Sequence, residues 1–136
     1  MTITYRDDRQ IDLAALARLR ATCEFAEVAP ALLAQQVEGA RYLTSAYDGD
    51  RLVGFARAIS DGATNGYLSS VMVDPAYRRQ GLARTMLERI MHDKPTIRWV
   101  LHTRSAASAL YRSLGFTPAP DMMWRERKAP LSGPGH

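Results

Sequence analysis

One stretch, residues 68–87 (LSSVMVDPAYRRQGLARTML), most constrains the fold because it predicts a strand, a turn and a helix in immediate succession. Its first part, residues 68–73, is β-rich and mostly apolar. This is typical of a strand buried on both faces. Pro75 ends that strand. Apolar side chains then recur at helical spacing over residues 82–91, opposite charged ones, so an amphipathic helix follows the turn.

The start of this helix predicts an anion-binding site. The first N–H groups of a helix lack acceptors, and the helix dipole adds partial positive charge beside them. Gly81 has no Cβ and lets a ligand approach the main chain, while Arg78, Arg79 and Arg84 add positive charge. A phosphorylated ligand fits these features; the alternative is an ordinary loop with solvated arginines. The sequence contains neither GxxxxGK[ST] nor GxGxxG, which disfavours the nucleotide-binding folds that use those loops.

Length and composition limit the number of domains, the partners and the cellular compartment that can be expected. A chain of 136 residues suffices for one domain with a core, and its 46% hydrophobic and 24% charged content is ordinary for a globular protein. The net charge of +4 suits an anionic ligand, but the basic residues are dispersed, so nucleic acid is not an expected partner. One cysteine, Cys23, excludes an intrachain disulfide and indicates a reducing compartment. Since no signal peptide or membrane-length apolar run is evident, we expect a cytoplasmic protein without membrane contacts.

Periodicity and turn residues predict the remaining elements. Asp12 is expected to cap a first helix, Pro30 precedes a second, and the Asp48-Gly49 pair predicts a tight hairpin. We expect one domain over residues 1–128 and a disordered tail over residues 129–136, which hold two Pro and two Gly. The predicted strands are residues 2–6, 41–47, 51–59, 68–73, 97–103, 116–119 and 122–127, and the predicted helices are residues 13–23, 31–38, 82–91 and 106–114.

Two motifs in order resemble the GNAT superfamily of acyl-CoA-dependent N-acyltransferases. Residues 78–83 (RRQGLA) are similar to its motif A, [RQ]-x-x-G-x-[GA], after a strand that ends in V-x-V-x-P. Residues 107–116 (ASALYRSLGF) are similar to its motif B, A-x-x-L-Y-x-x-x-G-F, and two motifs in the right order are more specific than either alone. Residues 51–62 also resemble the family's hairpin before motif A, so the resemblance spans about residues 13–116.

The resemblance implies an α+β fold in α/β/α layers. Its mixed, mostly antiparallel sheet would have about six to seven strands, with about four helices. The motif A strand and the next strand would run parallel and splay apart, forming a cleft for acetyl-CoA, the acyl-donor cosubstrate. Many members have Asn where this chain has Arg104, and Ser105 or Ser108 is a candidate substitute. The implied cofactor-binding residues are Val71, Met72, Val73, Arg78, Arg79, Gln80, Gly81, Leu82, Ala83, Arg84, Ser105 and Ser108.

Tyr111 is the candidate catalytic residue. Its periodicity alone fits a core tyrosine, whereas its place in motif B implies the acid that protonates the departing CoA thiolate. By the same resemblance, a backbone N–H near Met72 or Val73 would hold the oxyanion.

The acceptor is expected to be a primary amine of a small molecule, peptide or protein, which must lose a proton before it attacks. The motif A strand carries no carboxylate, so the base stays open between Asp61, Glu27, Glu24 and a water chain. The candidate substrate-binding residues are Phe25, Glu27, Asp61, Tyr67 and Ser69.

Two other classes of function compete with an N-acetyltransferase. One is a non-catalytic acyl-CoA-binding module that serves as a sensor or interaction protein, and the other is a nucleic-acid-binding domain that uses Arg79 and Arg84. No metal is expected, because one cysteine and three scattered histidines suggest no ligand set. We expect a monomer or a homodimer.

Overall fold

The order of strands in the sheet follows the order of the chain. The computed structural model describes residues 2–103 and 107–133. Its five strands are β1 (Ile3–Arg6), β2 (Tyr42–Asp48), β3 (Arg51–Ser60), β4 (Asn65–Val73) and β5 (Arg98–Leu101). The first four pair antiparallel with their neighbours, and β4 pairs parallel with β5. The predicted meander and the predicted parallel pair are therefore confirmed.

Four helices cover the two faces of this sheet. They are α1 (Leu13–Thr22), α2 (Pro30–Gly39), α3 (Leu82–Met91) and α4 (Ser108–Ser113). Asp12 caps α1 as predicted, because its Oδ1 accepts the Ala14 N–H at 2.9 Å. Pro30 opens α2, where its missing N–H costs no helical hydrogen bond. A short 3₁₀ turn at Pro75–Tyr77 connects β4 to the loop before α3.

The core has two parts, one on each face of the sheet. On one face, α1 and α2 pack against alternate side chains of the central strands, including Phe55 and Met72. On the other face, Met86 and Leu87 of α3 pack against side chains such as Val53. Tyr111 brings α4 into this second part of the core. The expected α/β/α layering is confirmed.

β4 and β5 separate part-way along their length. They pair from Asn65 with Arg98 to Leu68 with Leu101, and β4 then continues to Val73. Against β3, the register changes at the same place, because Ala58 pairs with Leu68 and Arg57 pairs with Ser70. Ser69 is thus an extra residue, a β-bulge of the kind that bends and twists a strand. Residues 69–73 of β4 have no strand beside them on the β5 side among the described residues.

The two closing strands predicted at residues 116–119 and 122–127 are absent from the described residues, so the sheet has five strands rather than six or seven. Pro118 and Pro120 each lack an N–H and interrupt any ladder there. Farther on, Met122, Met123 and Trp124 are 52%, 93% and 75% exposed, so neither face of this segment is covered as a strand in the sheet would be.

Other boundaries differ slightly from the prediction, since β5 and α4 are shorter than expected. The predicted cap of α4, Ser105, lies outside the described residues. In the expected tail, the Leu131 carbonyl accepts the Ala29 N–H at 2.8 Å, and the Leu131 side chain packs against the core under α1 and α2. Within residues 2–103 and 107–133, we find no helix of the length and apolar character that crossing a bilayer needs.

Candidate active site

The unpaired part of β4 forms one wall of a cleft. The Asp74 N–H donates to the Val53 carbonyl at 2.8 Å, so hydrogen bonding to β3 falls on Asp74 and on alternate residues before it. The main-chain groups of Val71 and Val73 therefore point away from β3, toward the gap beside β5. The Met72 side chain is buried in the core, and its main chain faces β3.

The loop before α3 lies at the end of this wall. Arg79 and Gly81 have positive φ angles of 64° and 82°, which turn the chain sharply into the helix. A Cβ at Gly81 would meet no atom within 4 Å, so the space beside its backbone is open. In the described part of the chain no side chain caps α3, and its first turn has no acidic residue. The first N–H groups of this helix thus remain available to an anion.

Two of the predicted cofactor arginines join elements around the cleft. Arg78 Nε donates to the Val73 carbonyl at 3.0 Å and holds the loop against the end of β4. Arg84 Nη2 donates to Ser113 Oγ and ties the first turn of α3 to α4. The loop is therefore joined to the end of β4, and the helix that follows it is joined to α4.

Tyr111 is buried in α4, with 9% of its surface exposed. Its ring meets Phe116 edge-on, with 5.8 Å between the ring centroids. Burial raises the pKa of the Tyr111 hydroxyl above its usual value of 10.0, so the hydroxyl stays protonated at neutral pH. A protonated phenol is what a proton donor to a thiolate requires.

A cavity of about 930 Å³ lies between β5, α4 and residues 116–127. Of the predicted site residues it is lined by Tyr67, Ser108 and Tyr111, and by none from the loop before α3. The hydroxyl-bearing side chains and the predicted phosphate loop therefore occupy different parts of the site.

Three of the predicted acceptor residues lie around buried arginines on the α1 side of the sheet. Phe25 follows α1, with its ring centroid 5.3 Å from the guanidinium carbon of Arg20. Ser69 Oγ accepts from Arg57 Nη2 at 2.9 Å. Tyr67, on β4, is 40% exposed and lines the cavity. Tyr67 and Ser69 thus lie where β4 and β5 separate, and Phe25 lies against Arg20.

Asp61 has a different environment from these three. Its Oδ1 accepts the N–H groups of Ala63 and Thr64 at 2.9 Å and of Asn65 at 3.1 Å. Hydrogen bonds from the Thr64, Ala63 and Asn65 N–H groups and the Thr64 hydroxyl hold the pKa of the Asp61 carboxyl far below its usual value. Asp61 thus stabilises the turn between β3 and β4 and would be a weak base.

The two carboxylates of the loop between α1 and α2 are exposed. Glu24 has a positive φ of 62° just after α1. Glu27 lines a shallow groove with residues 126–132. No group of three or more metal-ligating side chains occurs within residues 2–103 and 107–133.

Arg20 and Arg57 were not among the predicted site residues, although both are buried. Arg57 is the one charged residue in residues 52–58, a run that is otherwise apolar. Arg20 lies one residue after Leu19 on the buried side of α1. Each arginine stands at a position where the pattern of the helix or strand requires an apolar side chain. This was the signal in the sequence that could have identified them.

Comparison with known proteins decides the family. Residues 39–118, more than half of the chain, match the acetyltransferase (GNAT) domain. The chain belongs to the GNAT acetyltransferase family. The match spans β2 to α4 and so includes the cleft and both motifs.

Relatives with known names match parts of this GNAT chain. The [ribosomal protein bS18]-alanine N-acetyltransferase of Salmonella typhimurium is 37% identical over 91 residues, which are 60% of each chain. The chloroplastic GCN5-related N-acetyltransferase 1 of Arabidopsis thaliana is 36% identical over 74 residues, 52% of this chain and 38% of that protein. The chain thus spans between 38% and 60% of the length of these relatives.

Solved structures share the fold. A probable acetyltransferase of Staphylococcus aureus, SA2161, has a TM-score of 0.85 at 24% identity, covering 94% of this chain and 100% of that one. The ribosomal-protein-S18-alanine N-acetyltransferase of Escherichia coli has a TM-score of 0.70 at 25% identity, covering 87% of this chain and 79% of that one.

Replacement of Gly81 tests the anion site. Gly81→Asp places a negative charge beside the first N–H groups of α3, and we expect it to abolish the rise in melting temperature that CoA causes. Gly81→Asn is the matched control, because Asn has nearly the same shape, tolerates a positive φ and carries no charge. We expect Gly81→Asn to keep most of the shift. Equal shifts for Gly81→Asp and the unchanged protein would place the anion site elsewhere.

Proposed function

We propose that this protein is an acetyl-CoA-dependent N-acetyltransferase that acts on a primary amine. The observation that carries the proposal is the unpaired end of β4 next to an uncapped, glycine-started helix. The first supplies main-chain hydrogen-bonding groups along a cleft, and the second supplies N–H groups for a phosphate. An elongated ligand with a pyrophosphate at one end matches both.

Each part of the ligand has residues suited to it. The N–H groups of residues 79–84 would hold the pyrophosphate, and the positive φ of Gly81 directs the chain so that they converge. The Val71 carbonyl and the Val73 N–H would pair with the amides of the pantetheine arm as a neighbouring strand would, whereas the Val73 carbonyl already accepts from Arg78. Acetyl-CoA supplies a thioester whose carbonyl carbon is open to attack by an amine.

The chain's own residues would act on the charges that develop during this transfer. A main-chain N–H beside the cleft would hold the oxyanion. The hydrogen-bond alternation turns the Met72 N–H toward β3 and leaves Val71 for this role, which places the thioester nearer the bulge of β4 than the phosphate loop. Tyr111 would protonate the departing sulfur, a role for which its burial keeps the hydroxyl protonated.

The base is a water chain or one of the exposed carboxylates Glu24 and Glu27, rather than Asp61. The Asp61 carboxylate is already bound to three main-chain N–H groups and has a strongly lowered pKa. Removal of a proton from an ammonium group by such a weak base is unfavourable.

The relatives support an amine as the acceptor. The bS18-alanine N-acetyltransferases, by their names, acetylate an alanine nitrogen of a ribosomal protein. Amine acetylation by this chain would use the same chemistry. A cytoplasmic location, a monomer or homodimer, and a mechanism without a metal complete the proposal.

A binding measurement tests the cofactor. We expect CoA at 100 times its Kd to stabilise the folded protein by about 2.7 kcal/mol, seen as a higher melting temperature, because CoA binds only the folded state. Pantetheine, which lacks the 3′-phospho-ADP moiety of CoA and therefore both phosphates of the pyrophosphate, is the control and should give a much smaller shift. No shift at saturating CoA would overturn the proposed function.

Tyr111→Phe separates an enzyme from a module that only binds acyl-CoA. The substitution keeps the ring and removes the proton donor, so we expect kcat and kcat/KM to fall by about 10²- to 10⁴-fold. The CoA-induced rise in melting temperature should stay the same. Tyr5→Phe, on the far edge strand β1, is the matched control and should remain active.

The measurement is the release of free thiol with a panel of primary amines. A Tyr111→Phe variant that is less stable but equally active per folded molecule would make Tyr111 a core residue without a part in the reaction.

A further inference from the structure

Two arginine side chains are almost completely buried without a partner of opposite charge. Arg20 is 7% exposed and Arg57 is 8% exposed. Among the described residues, ion pairs are formed by other arginines, and neither Arg20 nor Arg57 contacts a carboxylate. Burial of an unpaired charge is unfavourable, so this arrangement needs an explanation.

The hydrogen-bond partners of both guanidinium groups are neutral. Arg57 Nε donates to Ser70 Oγ at 3.1 Å and Nη2 donates to Ser69 Oγ at 2.9 Å. Arg20 Nη2 donates to the Ala26 carbonyl at 2.9 Å. Arg20 Nε is buried and has no acceptor in the described part of the chain. These contacts orient the guanidinium groups but leave their charges unbalanced.

The two charges are close enough to affect each other. Burial lowers the pKa of Arg57, and the positive charges of Arg20 and, less strongly, Arg127 lower it further, while Tyr67 opposes this. Burial also lowers the pKa of Arg20. Arginine nevertheless stays charged at neutral pH because its usual pKa is so high. The site therefore holds two like charges in a region of poor solvation.

The two arginines lie close to the residues that are predicted to bind the acceptor. Ser69 and Ser70, which Arg57 contacts, form the bulge where β4 and β5 separate. A strand rises by about 3.3 Å per residue, so Ser69 lies roughly 13 Å from Val73, where the loop with Gly81 begins. Phe25 and Tyr67 lie beside the arginines. An anion bound here would be well separated from the pyrophosphate site.

We propose that the acceptor amine also carries a carboxylate, and that Arg57 and Arg20 bind this carboxylate beside the bulge of β4. The inference rests on the proposed function and names its class of substrate. A carboxylate would supply the missing negative charge and accept charge-assisted hydrogen bonds from both guanidinium groups. Because the arginines are more than nine-tenths buried, only a small group reaches them, which indicates a free amino acid rather than a protein surface.

A purely structural role makes a different prediction. If the two arginines only hold the loop after α1 and the bulge of β4 in place, their loss lowers stability and slows all acceptors alike. It does not change the preference between acceptors. The discriminating quantity is therefore the ratio of kcat/KM for two amines that differ in the carboxylate alone.

The test uses a panel of L-amino acids and their amides as matched acceptors for the full chain. Amides lack the carboxylate and have less basic amino groups, so intrinsic reactivity favours them. We expect the reverse for this protein, with at least one amino acid preferred over its amide by tenfold or more in kcat/KM, about the effect of a charge-assisted hydrogen bond. An equal rate, or a faster rate with every amide, would overturn the proposal.

Variants test whether the two arginines cause the preference for an amino acid over its amide. Arg57→Met and Arg20→Met should each abolish the tenfold ratio, mainly through KM for the amino acid. Arg18→Met is the matched control, because Arg18 is exposed on the same helix as Arg20 and its replacement removes the same charge. Arg57→Lys and Arg20→Lys, which keep the charge, should retain part of the ratio even where the Met variants fold poorly. A full ratio in the folded Met variants would contradict the assignment.

Binding without turnover separates this inference from the proposed function. The same amino acids should raise the melting temperature, and their amides should not. If CoA has no effect and no amine is acetylated, the proposed function fails, but the carboxylate site still predicts this difference. If CoA binds and the amides are acetylated while no amino acid is acetylated or raises the melting temperature, the carboxylate site fails alone.

Discussion

The separation of β4 from β5 after Leu68 is the constraint on which the candidate site depends. Two parallel strands that stayed paired would satisfy each other's main-chain groups and leave no cleft. Here the pairing ends where Ser69 adds a residue to β4. One bulge thus exposes the edge of a buried strand and also brings two serine hydroxyls to Arg57. The proposed donor and acceptor sites both begin at this irregularity.

The packing of α3 places the phosphate loop at the end of that edge. Met86 is completely buried and lies against Gly54, where a Cβ would come within 3.0 Å of the Met86 Cε. A larger residue at position 54 would push the helix away from the sheet. The close approach of Met86 to Gly54 fixes the position of α3. The hydrogen bond from Arg78 to the Val73 carbonyl then joins the loop before α3 to the end of β4. The packing of α3 in the core therefore also determines where the predicted phosphate loop lies.

Sequence patterns predicted the parts of the fold that local chemistry determines. The strand, turn and helix around Gly81 follow from apolar spacing, a proline and a glycine, and the Asp12 cap follows from its place before a helical stripe. The two predicted closing strands were wrong, because a run of apolar residues such as 122–124 does not reveal whether another layer covers the segment. Met123, 93% exposed, shows that none of the described residues does.

Only those parts of the site that lie in a sequence motif could be predicted. Motifs A and B identified the cleft and Tyr111, whereas the contacts of Asp61 within its own turn and the environment of Arg57 depend on how the chain folds. A buried arginine looks like any other basic residue until its neighbours are known. Arg57 and Arg20 come from elements far apart in sequence, so their proximity is a property of the tertiary structure.

Amide hydrogen exchange followed by NMR tests directly whether CoA binds along the edge of β4 and at the start of α3. The N–H groups at the start of α3 have no side-chain acceptor among the described residues, so they should exchange rapidly in the free protein. With CoA bound, we expect slower exchange at residues 79–84 and at Val71 and Val73. The Ala14 amide, already bound by the Asp12 cap of α1, should not change. Unchanged exchange at residues 79–84 with CoA at saturation would contradict the account.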